Sequence, residues 1–162
     1  MPELFTQLRY SDDGPTYDFA TAPPPSAAVV YLGTNDPWKT YPTTLPYEFT
    51  ATLLQLARNL TSVWWKAPNM TVFAMVGAMS PVDPLNSTLA AVEQANSEGM
   101  RIVLINTTMS CGSHMYQNCA DGCAGHPGVS SHRNMAEDVA RVISSTMGWD
   151  IPGYIQGRDD CV

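Results

Sequence analysis

The chain carries few charges, and very few of them are positive. Only 14% of its 162 residues are Asp, Glu, Lys or Arg, against about a quarter in an ordinary globular protein. Eight Lys and Arg face fifteen Asp and Glu, for a net charge of −7. No basic cluster interrupts that balance, which argues against nucleic acid and anionic membrane surfaces as partners. No apolar run approaches the ~18 residues of a membrane-spanning helix. There are no internal repeats and no low-complexity tract. The opening Met1-Pro2-Glu3-Leu4-Phe5 has neither the basic nor the apolar stretch of a secretory leader. What is present is globular: 44% hydrophobic residues in a length that suits one domain, residues 1–162, with a sizeable core.

Two features speak to the compartment. Four of the eight asparagines, Asn59, Asn69, Asn86 and Asn106, begin Asn-X-Ser/Thr sequons, the acceptor pattern for N-linked glycans in secreted proteins. Four cysteines, Cys111, Cys119, Cys123 and Cys161, lie in loop-like sequence of the C-terminal third. An even number there suits two disulfides, whose pairing has three possibilities. Cys111, His114, Cys119, Cys123 and His126 also form a potential zinc set, but their spacing matches no standard CxxC pair. The expectation is a secreted, disulfide-bonded glycoprotein with no metal and no other cofactor. Without a leader, it is expected to be a mature form or a piece of a longer chain.

Hydrophobic periodicity alternates between two kinds of segment. Ala27 to Leu32 is a short continuous apolar run after Pro23-Pro24-Pro25 and reads as a strand buried on both faces. Phe49, Leu53, Leu56, Leu60 and Val63 mark one face of a helix. Thr71 to Val76 reads as a second strand. A helix then starts near Asp83-Pro84, with Leu85, Leu89 and Val92 as its buried stripe and Gly99 as its stop. Arg101 to Ile105 is a third strand. After a Cys-, Gly- and His-rich loop, Ser130 or Ser131 caps a last helix bearing Met135, Val139, Val142 and Met147, ended by Gly148. The order predicts an α/β fold with a parallel sheet of about three strands and flanking helices. The tail, residues 149–162, has no period of its own, and Cys161 is expected to tether it. The sequons fit this scheme: Asn69 and Asn106 fall at strand ends or turns, Asn86 opposite its helix stripe and Asn59 at a stripe margin.

Two short stretches carry chemistry. The first predicted strand delivers Gly33-Thr34-Asn35-Asp36 at its carboxyl end, where ligands sit in open α/β sheets. A fixed side-chain amide there can stabilise the oxyanion of ester hydrolysis, and Gly33 allows close backbone approach. The same four residues also make an ordinary turn. The second stretch is His126-Pro127 at the opening of the last helix. A neutral imidazole there can serve as a general base. Trp38, just after the turn, either packs in the loop or stacks on a sugar ring; His132 is read as a structural residue of the last helix.

Together these stretches resemble two of the four motif blocks of the SGNH (GDSL-type) serine hydrolases. The likeness extends through Met1 to Phe5, Tyr17-Asp18-Phe19, Leu32 to Asp36, Phe73 to Met79, and His126-Pro127 to Met135-Ala136. In that order, over nearly the whole chain, these segments resemble carbohydrate esterase family 2, whose members remove acetyl groups from polysaccharides such as xylan and mannan. The resemblance implies a flavodoxin-like sheet, Asn35 as oxyanion donor and His126 as base. The family places an Asp three residues before that His; Cys123 stands there instead. The orienting acid is then Asp121, or a backbone carbonyl near Cys123 takes its place.

The family's Gly-Asp-Ser block, which holds the nucleophile, is absent from these residues. On this likeness the chain is the C-terminal portion of the domain, with strands three to five of five. It is expected to be inactive alone, and to need a companion polypeptide or self-association over an open sheet edge. The expected partner is an acetylated polysaccharide. The alternative is a non-catalytic extracellular structural or carbohydrate-binding glycoprotein that kept the fold.

Overall fold

The computed structural model describes residue 18 and residues 21–33, 45–63, 69–77, 82–108 and 127–150. Within them the order is β1 (Ala27–Tyr31), α1 (Leu45–Val63), β2 (Thr71–Val76), α2 (Val82–Ser97), β3 (Ile102–Asn106) and α3 (Val129–Met147). The strands form one parallel sheet in the order β1-β2-β3. Ala27 pairs with Thr71 and Val72 with Ile102, so the register has no slip.

Side chains alternate across a strand, and the two faces bury against different helices. On one face Val72, Ala74 and Ile102 pack with Leu54, Leu56, Ala57 and Leu60 of α1 and with Val92 and Ala95 of α2. On the other, Phe73, Met75 and Ile105 pack with Met135, and against Val139, Val142, Ile143 and Met147 of α3. Right-handed crossovers through a sheet growing in one direction put α1 and α2 on the same side. α3, which follows the last strand, covers the opposite side. Arg101 Nη2 donates to the Thr146 carbonyl at 3.1 Å, joining the end of α3 to the start of β3. α3 therefore runs antiparallel to the strands.

Local chemistry fixes the ends of these elements. The Asn96 side chain acts as an extra rung before β3. Its Nδ2 donates to the Ile102 carbonyl at 2.9 Å, and its Oδ1 accepts from the Ile102 amide at 3.0 Å. Thr107 closes β3 onto β2, its amide and its Oγ1 donating to the Val76 carbonyl at 2.8 and 2.9 Å. Arg58 of α1 grips Glu98, just past α2, through two nitrogens at 2.9 and 2.5 Å. Those hydrogen bonds hold the Glu98 carboxyl below its ordinary range and push the Arg58 guanidinium up.

The strands and helices lie where the periodicity puts them, with three informative differences. α3 begins at Val129 with Gly128 as its N-cap and no side-chain capping bond. Ser130 and Ser131 are thus first-turn residues rather than caps, because Gly128 is itself an acceptable cap residue. On α2, Leu89 is 42% exposed while Thr88, Ala91, Val92 and Ala95 are buried. Small residues let that helix approach closely, so the buried face keeps Val92 and half-buries Leu85 while Leu89 alone of the expected stripe stays outside. On β1, expected to be covered on both faces, Val29 is 49% and Tyr31 42% exposed. This strand is an edge of the described sheet, and of its residues Ala27 packs against the cluster on the α3 face. Among the described residues, no helix is long and apolar enough to cross a membrane.

Candidate functional site

Because all three strands are parallel, their carboxyl ends gather at one end of the sheet. Gly33 leaves β1 there with φ +100°, a conformation that costs any L side chain. A Cβ at Gly33 would also lie 3.0 Å from Phe49 Cζ of α1 and 3.6 Å from Pro84 Cβ of α2. The turn is therefore wedged against the first turns of both helices on one face. It delivers the backbone directly into Thr34-Asn35-Asp36.

Beside it, the Tyr31 ring lies over Gly77, the residue after β2. A Cβ on Gly77 would collide with the Tyr31 hydroxyl oxygen and ring. Tyr31 thus places a hydroxyl at the mouth of the sheet and stays 42% exposed. From the sequence alone Tyr31 reads only as a strand residue. The signal for more is an aromatic at the last strand position with a glycine at the end of the neighbouring strand.

The second arm of the site is the entrance to α3. Gly128, buried and extended (φ −82°, ψ −175°), accepts the His132 amide at 3.0 Å and starts the helix. Since α3 runs antiparallel to the strands, this entrance sits at their carboxyl ends, and His126 immediately precedes the described Pro127. Ser131 is buried in the first turn, whereas His132 is exposed. So Gly33, two residues before Asn35 in sequence, and Pro127, the residue after His126, lie at the same end of the sheet.

Neither a protein-family model nor a curated protein matches the chain. Solved structures do. A family two carbohydrate esterase from Clostridium thermocellum in complex with cellohexaose superposes with a TM-score of 0.64 at 24% identity, covering 85% of this chain and 41% of that one. A family two carbohydrate esterase from Cellvibrio japonicus gives 0.66 at 18% identity, with 91% and 41% covered. An acetyl xylan esterase from the rumen bacterium Butyrivibrio proteoclasticus gives 0.61 at 16%, with 92% and 46% covered. The fold is that of the family 2 carbohydrate esterases.

The chain spans less than half the length of each of these esterases. Of the site residues read from the sequence, Gly33 lies within the described part of this esterase fold, at its carboxyl end. Asn35, Trp38, Asp121, His126, His114 and all four cysteines lie outside the described residues. The four sequon asparagines are all described. Asn69, Asn86 and Asn106 are exposed and Asn59 is half-buried. Asn106 Oδ1 accepts from the amide and hydroxyl of Thr108 at 3.0 and 2.7 Å, and Asn59 Oδ1 accepts from Gln55 Nε2 at 2.8 Å. Both leave the amide nitrogen that a glycan would join outside those bonds. Among the described residues, no group of His, Cys, Asp or Glu is placed to hold a metal ion.

Proposed function

We propose that this chain is the C-terminal part of a secreted esterase that removes acetyl groups from a polysaccharide. The observation that carries the reading is the left-handed turn at Gly33, at the carboxyl end of β1, opposite the entrance to α3 in a carbohydrate-esterase fold. Asn35 is the oxyanion donor and His126 the general base. Asp121, or a carbonyl near Cys123, orients the imidazole. Trp38 stacks against a sugar ring. The bound cellohexaose of the Clostridium thermocellum esterase supports a carbohydrate partner.

The chemistry follows from those roles. A serine hydroxyl, supplied by the part of the domain outside this chain, attacks the acetyl carbonyl as His126 takes its proton. The carbonyl oxygen becomes an oxyanion held by the Asn35 side-chain amide, and Gly33 keeps the backbone close. Collapse expels the sugar oxygen, which takes the proton from the imidazolium. Water, deprotonated by the same imidazole, then releases acetate and restores the serine. The sequons and the two expected disulfides, with Cys161 tethering the tail, support an extracellular setting.

The isolated 162-residue chain is expected to be inactive, because donor and base without a nucleophile form no acyl-enzyme. Acetate release from acetylated xylan, by the protein as isolated from its source, tests the reading. In the complete protein Asn35→Ala should lower kcat by about 100- to 1,000-fold. His126→Ala should abolish turnover to background. Full activity in either variant overturns the assignment.

A further inference from the structure

We infer that Asn69 receives an N-linked glycan while the chain is still unfolded, and that the Thr71 hydroxyl serves the transferase that attaches it rather than the fold. The inference rests on the secreted setting proposed above and goes beyond it in the order of events. It does not rest on the esterase chemistry.

A glycan acceptor is defined by the hydroxyl two residues after its asparagine. All four sequons place threonine there: Thr61, Thr71, Thr88 and Thr108. Three of these hydroxyls are used in the fold. Thr61 Oγ1 donates to the Ala57 and Arg58 carbonyls at 3.1 and 3.0 Å, and Thr88 Oγ1 to the Pro84 carbonyl at 2.6 Å. Thr108 Oγ1 donates to Asn106 Oδ1 at 2.7 Å. Thr71 Oγ1 is buried and has no hydrogen-bond partner among the described residues. A buried hydroxyl left unpaired costs stability. Valine has the same branched shape, suits a strand and carries no such cost. Among the described residues Ser87 Oγ is the other such atom, but there small size suits the contact with α1, where Thr50 Oγ1 donates to the Ser87 carbonyl at 3.1 Å. At position 71 the fold gives no reason for a hydroxyl. The sequon does.

The surroundings of Thr71 set the timing. Asn69 is exposed in the turn before β2, whereas Met70 and Thr71 are buried. Met70 packs into the cluster under α1 and α2. Thr71, by alternation along the strand, shares the opposite face with Phe73 and Met75. Its amide donates to the Ser26 carbonyl at 3.1 Å, and it pairs with Ala27 of β1. The two residues after Asn69 thus enter the cores on either side of the middle strand of the described sheet. In the folded chain the hydroxyl is reached only by pulling β2 out of that sheet, so transfer comes first. In that step Asn69 Nδ2 bonds to the anomeric carbon of an oligosaccharide carried on a lipid diphosphate. The bond from that carbon to the diphosphate oxygen breaks, the diphosphate leaves with the electron pair, and an amide proton passes to a base of the transferase. After folding, the glycan stands in solvent at the amino end of the strands, away from the Gly33 turn.

Three measurements test this. Peptide mapping of the protein from its source, after enzymatic glycan release in heavy-oxygen water, should find Asn69 occupied. An unmodified Asn69 overturns the inference; if all four sequons are bare, the secreted setting falls with it, while acetate release by the same sample reports separately on the esterase reading. Timing is read on the complete protein made with glycan transfer blocked, offered folded or reduced and alkylated to a purified oligosaccharide transferase with its lipid-diphosphate donor. Asn69 should be modified at least about 100-fold more slowly in the folded form, and equal rates would overturn the order of events. The role of Thr71 is read without any glycan at that site, by adding Thr71→Val to Asn69→Gln. The thermal midpoint should rise by about 2 °C or more; an unchanged or lower midpoint would return the hydroxyl to the fold. With Asn69 intact, Thr71→Ser should keep the glycan and Thr71→Val should lose it, and a glycan that survives Thr71→Val would contradict the role given to the hydroxyl.

Discussion

Gly33 and Gly77 lack a side chain for different reasons, and substitution separates them. Gly33 is constrained by its backbone, with φ +100° and Phe49 Cζ 3.0 Å from where a Cβ would stand. Gly33→Ala should cost about 1–3 kcal/mol, read as a lower denaturation midpoint with an unchanged slope. Gly77 is constrained by one neighbour, the Tyr31 ring. Gly77→Ala should swing that half-exposed ring outward, and the penalty should largely vanish in a Tyr31→Ala background. A double-mutant cycle by chemical denaturation should give a coupling of about 0.5–3 kcal/mol; additive effects would show that the ring does not rest on Gly77. The need for glycine at 33 was legible, because a strand followed by Gly-Thr-Asn-Asp signals a tight turn at a sheet end. The contact between Tyr31 and Gly77 was not, since it joins residues 46 positions apart in sequence through a strand register that no local pattern specifies.

At the scale of elements, the period of apolar residues located each described strand and helix, and the exceptions mark where burial came from packing partners. β2, with partners on both sides and both faces, is buried throughout. β1 is equally apolar in sequence yet half-open, because composition reports what a strand is suited to bury and not what lies beside it. α2 buries small residues and leaves Leu89 outside, a choice of face set by close approach to its neighbours. The bond between Arg58 and Glu98 ties α1 to the end of α2 at the surface. Its pH dependence has a definite sign. Glu98 is held below its ordinary value of 4.5 in the folded state, chiefly by the Arg58 hydrogen bonds. Its contribution is thus present above that value and disappears as pH falls through the lowered one. Arg58 stays protonated throughout this range. Arg58→Met should therefore lower the thermal midpoint slightly at pH 7 and at low salt, with the difference from the parent chain shrinking as pH falls below 4.5. A difference that does not change with pH or salt would assign the effect to the apolar stem of Arg58 instead of the ion pair.

For the molecule as a whole, the described residues make three parallel strands with α1 and α2 on one face and α3 on the other, and β1 and β3 are the two edges of that described sheet. The parallel α/β class followed from alternating periodicities, and the esterase resemblance followed from Gly33 to Asp36 and His126-Pro127, far apart in the chain. The antiparallel run of α3, with Arg101 holding the Thr146 carbonyl, brings its entrance to the end of the sheet where Gly33 turns, while Asn35 and His126 lie outside the described residues. Acetate release from acetylated xylan is the most direct test of the account, measured on the protein from its source, on its His126→Ala variant and on the isolated 162-residue chain. The account predicts robust turnover by the first and background rates for the other two. Turnover by the isolated chain that disappears on His126→Ala would contradict it, by placing the nucleophile within these residues.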